Sequence, residues 1–145
     1  MNGLNIMSGS DAAKLSIFAE DWMREVEDVE AVRAAVFRRE ESMSTGLNYG
    51  VAVPHGRTDA VKSIVGTIAI VDNTANENGT LADYDTIDHS AVQIIVLTAA
   101  PESAQCPYLQ LMAYLSRALR SAESAAEFTS CKSAEAMRKF FRKTK

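Results

Sequence analysis

Residues 91–99 read AVQIIVLTA, an almost unbroken apolar run of strand length. A strand with one wet face alternates apolar and polar side chains, so a continuous run is expected where both faces are covered. Pro101 stops the run. The ring of Pro107 then suits the first position of a helix, and Tyr108, Leu111, Met112, Leu115 and Leu119 supply it with a broad apolar stripe. Beyond that helix, Ser133 is a natural cap for a last helix running through Phe140.

Upstream, Gly50–Val53 and Lys62–Asp72 are rich in Val, Ile and Thr, and Ile64, Ile68 and Ile70 fall on one side of a pleated strand. The polar stretch between them and the central run, residues 73–90, reads as a long surface loop. Residues before Gly46 change period. Leu15, Phe18, Ala19, Trp22 and Val26 recur at helical spacing behind the capping candidates Ser10 and Asp11, and Val29, Val32 and Val36 form a second helical stripe. Helices, then strands, then helices around a doubly covered β run predict a layered α/β/α sandwich with a mixed central sheet. No internal repeat and no low-complexity segment interrupts it.

The chain of 145 residues fits one domain, 1–145. An apolar fraction of 47% with 23% charged residues belongs to a folded chain and not to a disordered one. No apolar run is long enough to span a bilayer, so direct membrane insertion is not expected. The N-terminus lacks the basic-then-apolar order of a secretory signal. A formal charge of −4 gives no global support for a nucleic-acid partner. Two cysteines, Cys106 and Cys131, make no disulfide framework and fit a reducing cytoplasm. Charge is uneven: acids crowd residues 20–30, while Arg138, Lys139, Arg142, Lys143 and Lys145 crowd the end, as a helix C-terminus favours.

Two features carry chemistry. The first is Arg39, which continues the Val29–Val32–Val36 stripe by one more step. A cation in line with core residues is either a snorkelling side chain or a guanidinium aimed into a cleft. The second is GLNYGVAVPHGR, residues 46–57, where His55 stands between Pro54 and Gly56 at a strand's end. Pro54 stiffens the approach to the imidazole, Gly56 leaves room for an anion near the backbone, and Arg57 adds positive charge. A turn histidine making a local hydrogen bond is the plainer reading of the same residues. His89, in the polar loop beside Asp85 and Asp88, reads as a surface histidine.

With its neighbours, the stretch 39–57, REESMSTGLNYGVAVPHGR, resembles the active-site region of the enzyme IIA domains of the phosphoenolpyruvate-dependent sugar phosphotransferase system, mannitol/fructose type. That family carries Arg-Glu, then Ser-Thr-Gly, then G-x-A-x-P-H. Here Arg39-Glu40, Ser44-Thr45-Gly46 and Gly50-Val51-Ala52-Val53-Pro54-His55 stand in that order. The likeness continues through the strand ending VLTAAP and the helix beginning YLQLMAYLSRAL, and covers roughly residues 30–142.

The resemblance implies that His55 accepts a phosphoryl group from phospho-HPr and passes it to an enzyme IIB domain during uptake of a fructose- or mannitol-like sugar. It implies phosphate contacts from Arg39, with Thr45, Gly56 and Arg57 around the group, and no metal or cofactor. An imidazole is a good nucleophile near neutral pH, and a forked guanidinium suits phosphate oxygens. Tyr108 departs from the pattern, since the family commonly has a second histidine there. Its hydroxyl is either a substitute hydrogen-bond donor to phosphate, near a helix N-terminus, or part of an aromatic core. The short N-terminal part is a second departure. Some relatives use the phosphorylation state of the histidine to control other proteins. A regulatory module of the nitrogen-regulatory type, acting on target proteins, therefore stands beside the transport reading, and a fold relative without phosphoryl chemistry is a third.

Overall fold

A computed structural model describes residues 26–71 and 84–143 of the chain. The elements run α1 (Val29–Ser42), β1 (Val51–Ala52), β2 (His55–Arg57), β3 (Val65–Ile70), β4 (Ile94–Ala100), α2 (Gln105–Ala118), α3 (Ala122–Thr129) and α4 (Ala134–Lys143). Among these, no helix is long and apolar enough to cross a membrane.

β4 is the centre of the sheet, and all seven of its residues are buried, as the apolar run 91–99 predicts. One edge of β4 pairs in parallel with β1 (Val51 opposite Ile94) and then with β2 (His55 opposite Thr98). β1 and β2 are two halves of one strand interrupted at Val53 and Pro54. Proline has no N–H to give the ladder, although its carbonyl still accepts from the Thr98 amide at 3.1 Å. The other edge of β4 pairs antiparallel with β3, from Val65 opposite Ala99 to Ile70 opposite Ile94. The sheet is therefore mixed.

Alternation along β4 sorts the layers. Ile94 and Val96 join Val51, Val53, Leu115, Leu119, Phe128 and Phe140 in a core between the sheet and α2, α3 and α4. Leu97 and Ala99 point the other way, into a core with Val32 and Val36 of α1. This is the expected α/β/α sandwich. Phe128 is fully buried and meets Phe140 edge-on, with ring centroids 5.0 Å apart.

Several boundaries differ from the sequence expectation. Val26 does not end a helix; it forms an antiparallel bridge with Val61, and the Glu27 amide donates to the Ala60 carbonyl at 2.8 Å. Ser10, Asp11, Leu15, Phe18, Ala19 and Trp22 lie outside the described residues. The α1 stripe is Val32, Ala35 and Val36, while Val29 in the first turn stays exposed. Asp28 caps this helix, its side chain accepting from the Ala31 amide at 3.0 Å. α2 begins at Gln105, so Pro107 is its third residue and not its first. The first four helical amides have no intrahelical partner anyway, so proline is tolerated there as well. α3 is an addition: AESAAEFT has too few large apolar residues to announce a helix, but Ser121 and Ser124 close a reciprocal capping box. α4 follows Ser133 as expected, with the Ser133 hydroxyl accepting from the Ala136 amide at 3.2 Å.

Candidate active site

His55 is the first residue of β2, placed where Pro54 breaks the strand. Its Nδ1 lies 2.8 Å from the Val53 carbonyl oxygen. A carbonyl only accepts, so Nδ1 carries the proton and donates, and Nε2 keeps the free lone pair. Burial holds the imidazole below its ordinary 6.5, and the Arg39 charge pushes the same way. The Val53 hydrogen bond and the Glu40 charge oppose them. Near neutral pH the ring is thus a neutral imidazole with one available nitrogen.

Arg39 stands in the last turn of α1, half-exposed, and its Nη1 donates to the Met43 carbonyl at 2.8 Å. That bond caps the helix end and sets the guanidinium on the rim of a cleft of about 490 Å³ that His55 also lines. Met43 and Ile87, both strongly exposed, flank the opening, and Met112 and Ser116 of α2 contribute on the far side. Of the two readings of Arg39, the cleft is the one observed.

Thr45 lines the same cleft but is almost entirely buried. Its amide donates to one Glu40 carboxylate oxygen at 2.9 Å and its hydroxyl to the other at 2.5 Å. With that proton committed to Glu40, the contact of 3.1 Å to Tyr84 is one in which the tyrosine donates. Burial, with the Glu40 carboxylate close by, raises the Tyr84 hydroxyl well above its ordinary range. The Ser44 hydroxyl donates to the Asp85 carbonyl at 2.5 Å and joins two segments of the cleft lining.

Gly56 serves another purpose than the one expected. It is buried and turned toward α1, where a Cβ would stand 2.7 Å from the Val36 nitrogen and 2.9 Å from the Ala35 carbonyl carbon. The helix occupies the space that the missing side chain leaves, so packing and not anion approach explains the glycine. Arg57 shares the His55 face of β2 by strand alternation. Its Nη2 donates to the Glu102 carbonyl, while its Nε is buried with no partner among the described residues.

Tyr108 packs its ring on His55, centroids 5.3 Å apart and planes inclined 44°. It is buried, and its hydroxyl has no hydrogen-bond partner among the described residues. Burial pushes that hydroxyl up to about 12, against the pull of the Arg39 and Arg57 charges. The phenol is therefore neutral at any physiological pH, and it is at once an aromatic contact and an unfilled polar group. His89 sits in an exposed turn with φ of 58°. Cys106 and Cys131 are free thiols.

Sequence reasoning assigned no role to Glu40 or Tyr84. Glu40 was visible only as the second half of the Arg39-Glu40 pair, and Tyr84 lay within a polar stretch without periodicity.

Where the sequence places His55 at a strand's end, the structure has it open β2, because pairing with β4 resumes directly after Pro54. Residues 18–144 match the family described as phosphoenolpyruvate-dependent sugar phosphotransferase system, EIIA 2, and the chain belongs to that family. Over 107 residues it is 30% identical to a nitrogen regulatory protein of Bradyrhizobium diazoefficiens, covering 74% of this chain and 65% of that protein. Over 94 residues it is 29% identical to a fructose-specific EIIA component of Haloferax volcanii, covering 65% of this chain and 56% of that one. The chain thus spans less than two thirds of the length of either relative. Its fold is similar to that of the mannitol enzyme IIA of Escherichia coli solved in complex with phosphorylated mannitol enzyme IIB: TM-score 0.65, 94% of this chain and 89% of that one, 17% identity.

Proposed function

We propose that this chain is a phosphocarrier: His55 accepts a phosphoryl group from phospho-HPr and hands it to an enzyme IIB domain during uptake of a fructose- or mannitol-like sugar. The observation that carries the reading is the His55 ring itself, tied through Nδ1 to Val53 and offering Nε2 beside Arg39 in one cleft. In the first transfer the donor P–N bond breaks, its electron pair stays on the donor nitrogen, and a new P–Nε2 bond forms. The Val53 carbonyl keeps the Nδ1 proton in place, so the phosphoryl group sits on a ring with imidazolium character. Such a ring leaves readily when the P–Nε2 bond breaks and the pair returns to Nε2 in the second transfer. Arg39 meets the dianion through guanidinium N–H groups not used on Met43, and needs no rearrangement of its helix to do so. Arg57 adds positive potential from the same strand. Metal-free transfer is compatible with this mechanism, because positioning and charge supply the stabilisation.

A second reading has its own support. The Bradyrhizobium relative is a nitrogen regulatory protein, and Tyr108 offers no group able to exchange a proton near neutral pH. On this reading His55 is phosphorylated but the product is a signal read by target proteins. Incubating the chain with phosphoenolpyruvate, enzyme I and HPr separates the two. An acid-labile mass increase of one phosphoryl group, absent in His55→Ala, supports either reading. Onward transfer to a IIB domain supports the carrier, and stable labelling without onward transfer supports the regulator. A folded chain that takes no label overturns both.

A further inference from the structure

Arg39 and Glu40 are neighbours on α1, so their side chains leave the helix about 100° apart. Arg39 runs to the Met43 carbonyl and the cleft. Glu40 turns behind the cleft wall, and both of its carboxylate oxygens are held by Thr45, one by the amide and one by the hydroxyl. The Tyr84 hydroxyl joins the same cluster from the segment that leads into Asp85. Thr45 and Asp85 both line the cleft, on segments that lie against each other at Ser44 and Asp85. The two segments therefore meet at one carboxylate, with a second tie from Ser44 to Asp85. Glu40 does not itself line the cleft, yet its charge reaches His55 in the sense opposite to that of Arg39.

We propose that Glu40 is a positioning residue of the phosphoryl site: it ties Thr45, in the lining of the His55 cleft, to the neighbouring Tyr84 segment and sets a negative charge behind Arg39. The inference deepens the phosphocarrier reading and rests on it for its last consequence. The tie fixes the Thr45 side of the cleft in advance, so that side has no group that must reorganise on each transfer. The negative charge partly offsets Arg39, so the dianion is bound without being trapped, and Nε2 keeps enough basicity to attack.

The test uses the full chain and two variants. Glu40→Gln keeps the shape and an acceptor but removes the charge; Glu40→Ala removes both. The charged or titratable groups facing His55 are Arg39 and Glu40 from α1, Tyr108 from α2, Asp85 from the wall and Arg57 from its own strand. His55 is followed by NMR in the unphosphorylated chain. Glu40→Gln is expected to move its titration midpoint down and Arg39→Gln to move it up, a sign reversal that loss of packing would not produce. Amide exchange at Thr45 is expected to speed up by about tenfold or more in Glu40→Ala, the loss of a hydrogen bond to a charged group. With phosphoramidate as donor, phospho-His55 is expected to lose its phosphoryl group more slowly in Glu40→Gln than in the wild type. An unmoved His55 midpoint in Glu40→Gln, or unchanged Thr45 exchange in Glu40→Ala, overturns the proposal. A wild type that takes no phosphoryl group from either phosphoramidate or phospho-HPr instead overturns the phosphocarrier reading, while the two measurements on the unphosphorylated chain still decide the role of Glu40.

Discussion

The Nδ1 of His55 lies 2.8 Å from the carbonyl oxygen of Val53, two residues back across Pro54. This short loop fixes the tautomer before any partner arrives, because the carbonyl accepts only a proton-bearing nitrogen. Proline contributes by denying the strand a ladder bond at that point, which lets the ring fold back onto its own backbone. Phosphohistidine formed here should therefore carry the phosphoryl group on Nε2. Phosphorus–nitrogen NMR couplings in the labelled chain check this, and a group found on Nδ1 would show that the Val53 contact breaks on reaction.

Arg39→Gln is expected to slow phosphorylation by roughly tenfold or more. Glutamine is too short to keep the bond to the Met43 carbonyl, but that contact is exposed and water can replace it, so the loss read in the rate is that of a charge-assisted hydrogen bond worth about 1.5–3 kcal/mol. Single-turnover labelling by phospho-HPr measures it. An unchanged rate would mean that the guanidinium is only a helix cap.

Acid should weaken the fold through His55. Its folded-state value lies below the ordinary 6.5, with burial as the main cause. As pH falls, the unfolded chain takes up this proton first. Between the two values the unfolded state holds more protons, so stability declines with falling pH. Above 6.5 the contribution is fully present, and below the folded value no more is lost. The urea midpoint should drop further between about pH 7 and about pH 5 in the wild type than in His55→Gln. Equal drops would place the ring in a more solvated setting than the structure gives it.

Gly56→Ala should destabilise the chain by about 1–3 kcal/mol, the usual range for overpacking. The added methyl would press on the α1 backbone at Val36 and Ala35, which cannot yield as a flexible side chain does. Thermal or urea unfolding reads the loss. Full stability would show that α1 has room to move away from β2.

Much of this arrangement was legible in the chain. The continuous run 91–99 announced a strand covered on both faces, and Arg39, continuing an apolar helical stripe, announced a cation either snorkelling at the core edge or aimed into a cleft. Both signals arise from periodicity, which is local. The ending of the first helical stripe at Val26 failed, because a β-bridge to Val61 depends on a residue far along the chain. Gly56 was given the wrong partner for the same reason, since the sequence does not show that α1 lies against it. Glu40 and Tyr84 stayed hidden because their meeting at Thr45 joins segments about forty residues apart through side-chain oxygens, a contact with no periodic trace.

Tyr108 offers the sharpest test of the site. Its hydroxyl is buried with no partner among the described residues, a state that normally costs about 1–3 kcal/mol. Removing it in Tyr108→Phe should therefore leave the unphosphorylated chain as stable or more stable, while the ring keeps its contact with His55 at 5.3 Å. If the hydroxyl awaits a phosphoryl oxygen, the same variant will label more slowly and lose its phosphoryl group faster. Tyr108→His, which restores an imidazole beside His55, should then label at least as fast as the wild type. A Tyr108→Phe chain with unaltered phosphorylation would assign the tyrosine to aromatic packing alone. A Tyr108→Phe chain that is less stable before labelling would show instead that the hydroxyl already has a partner.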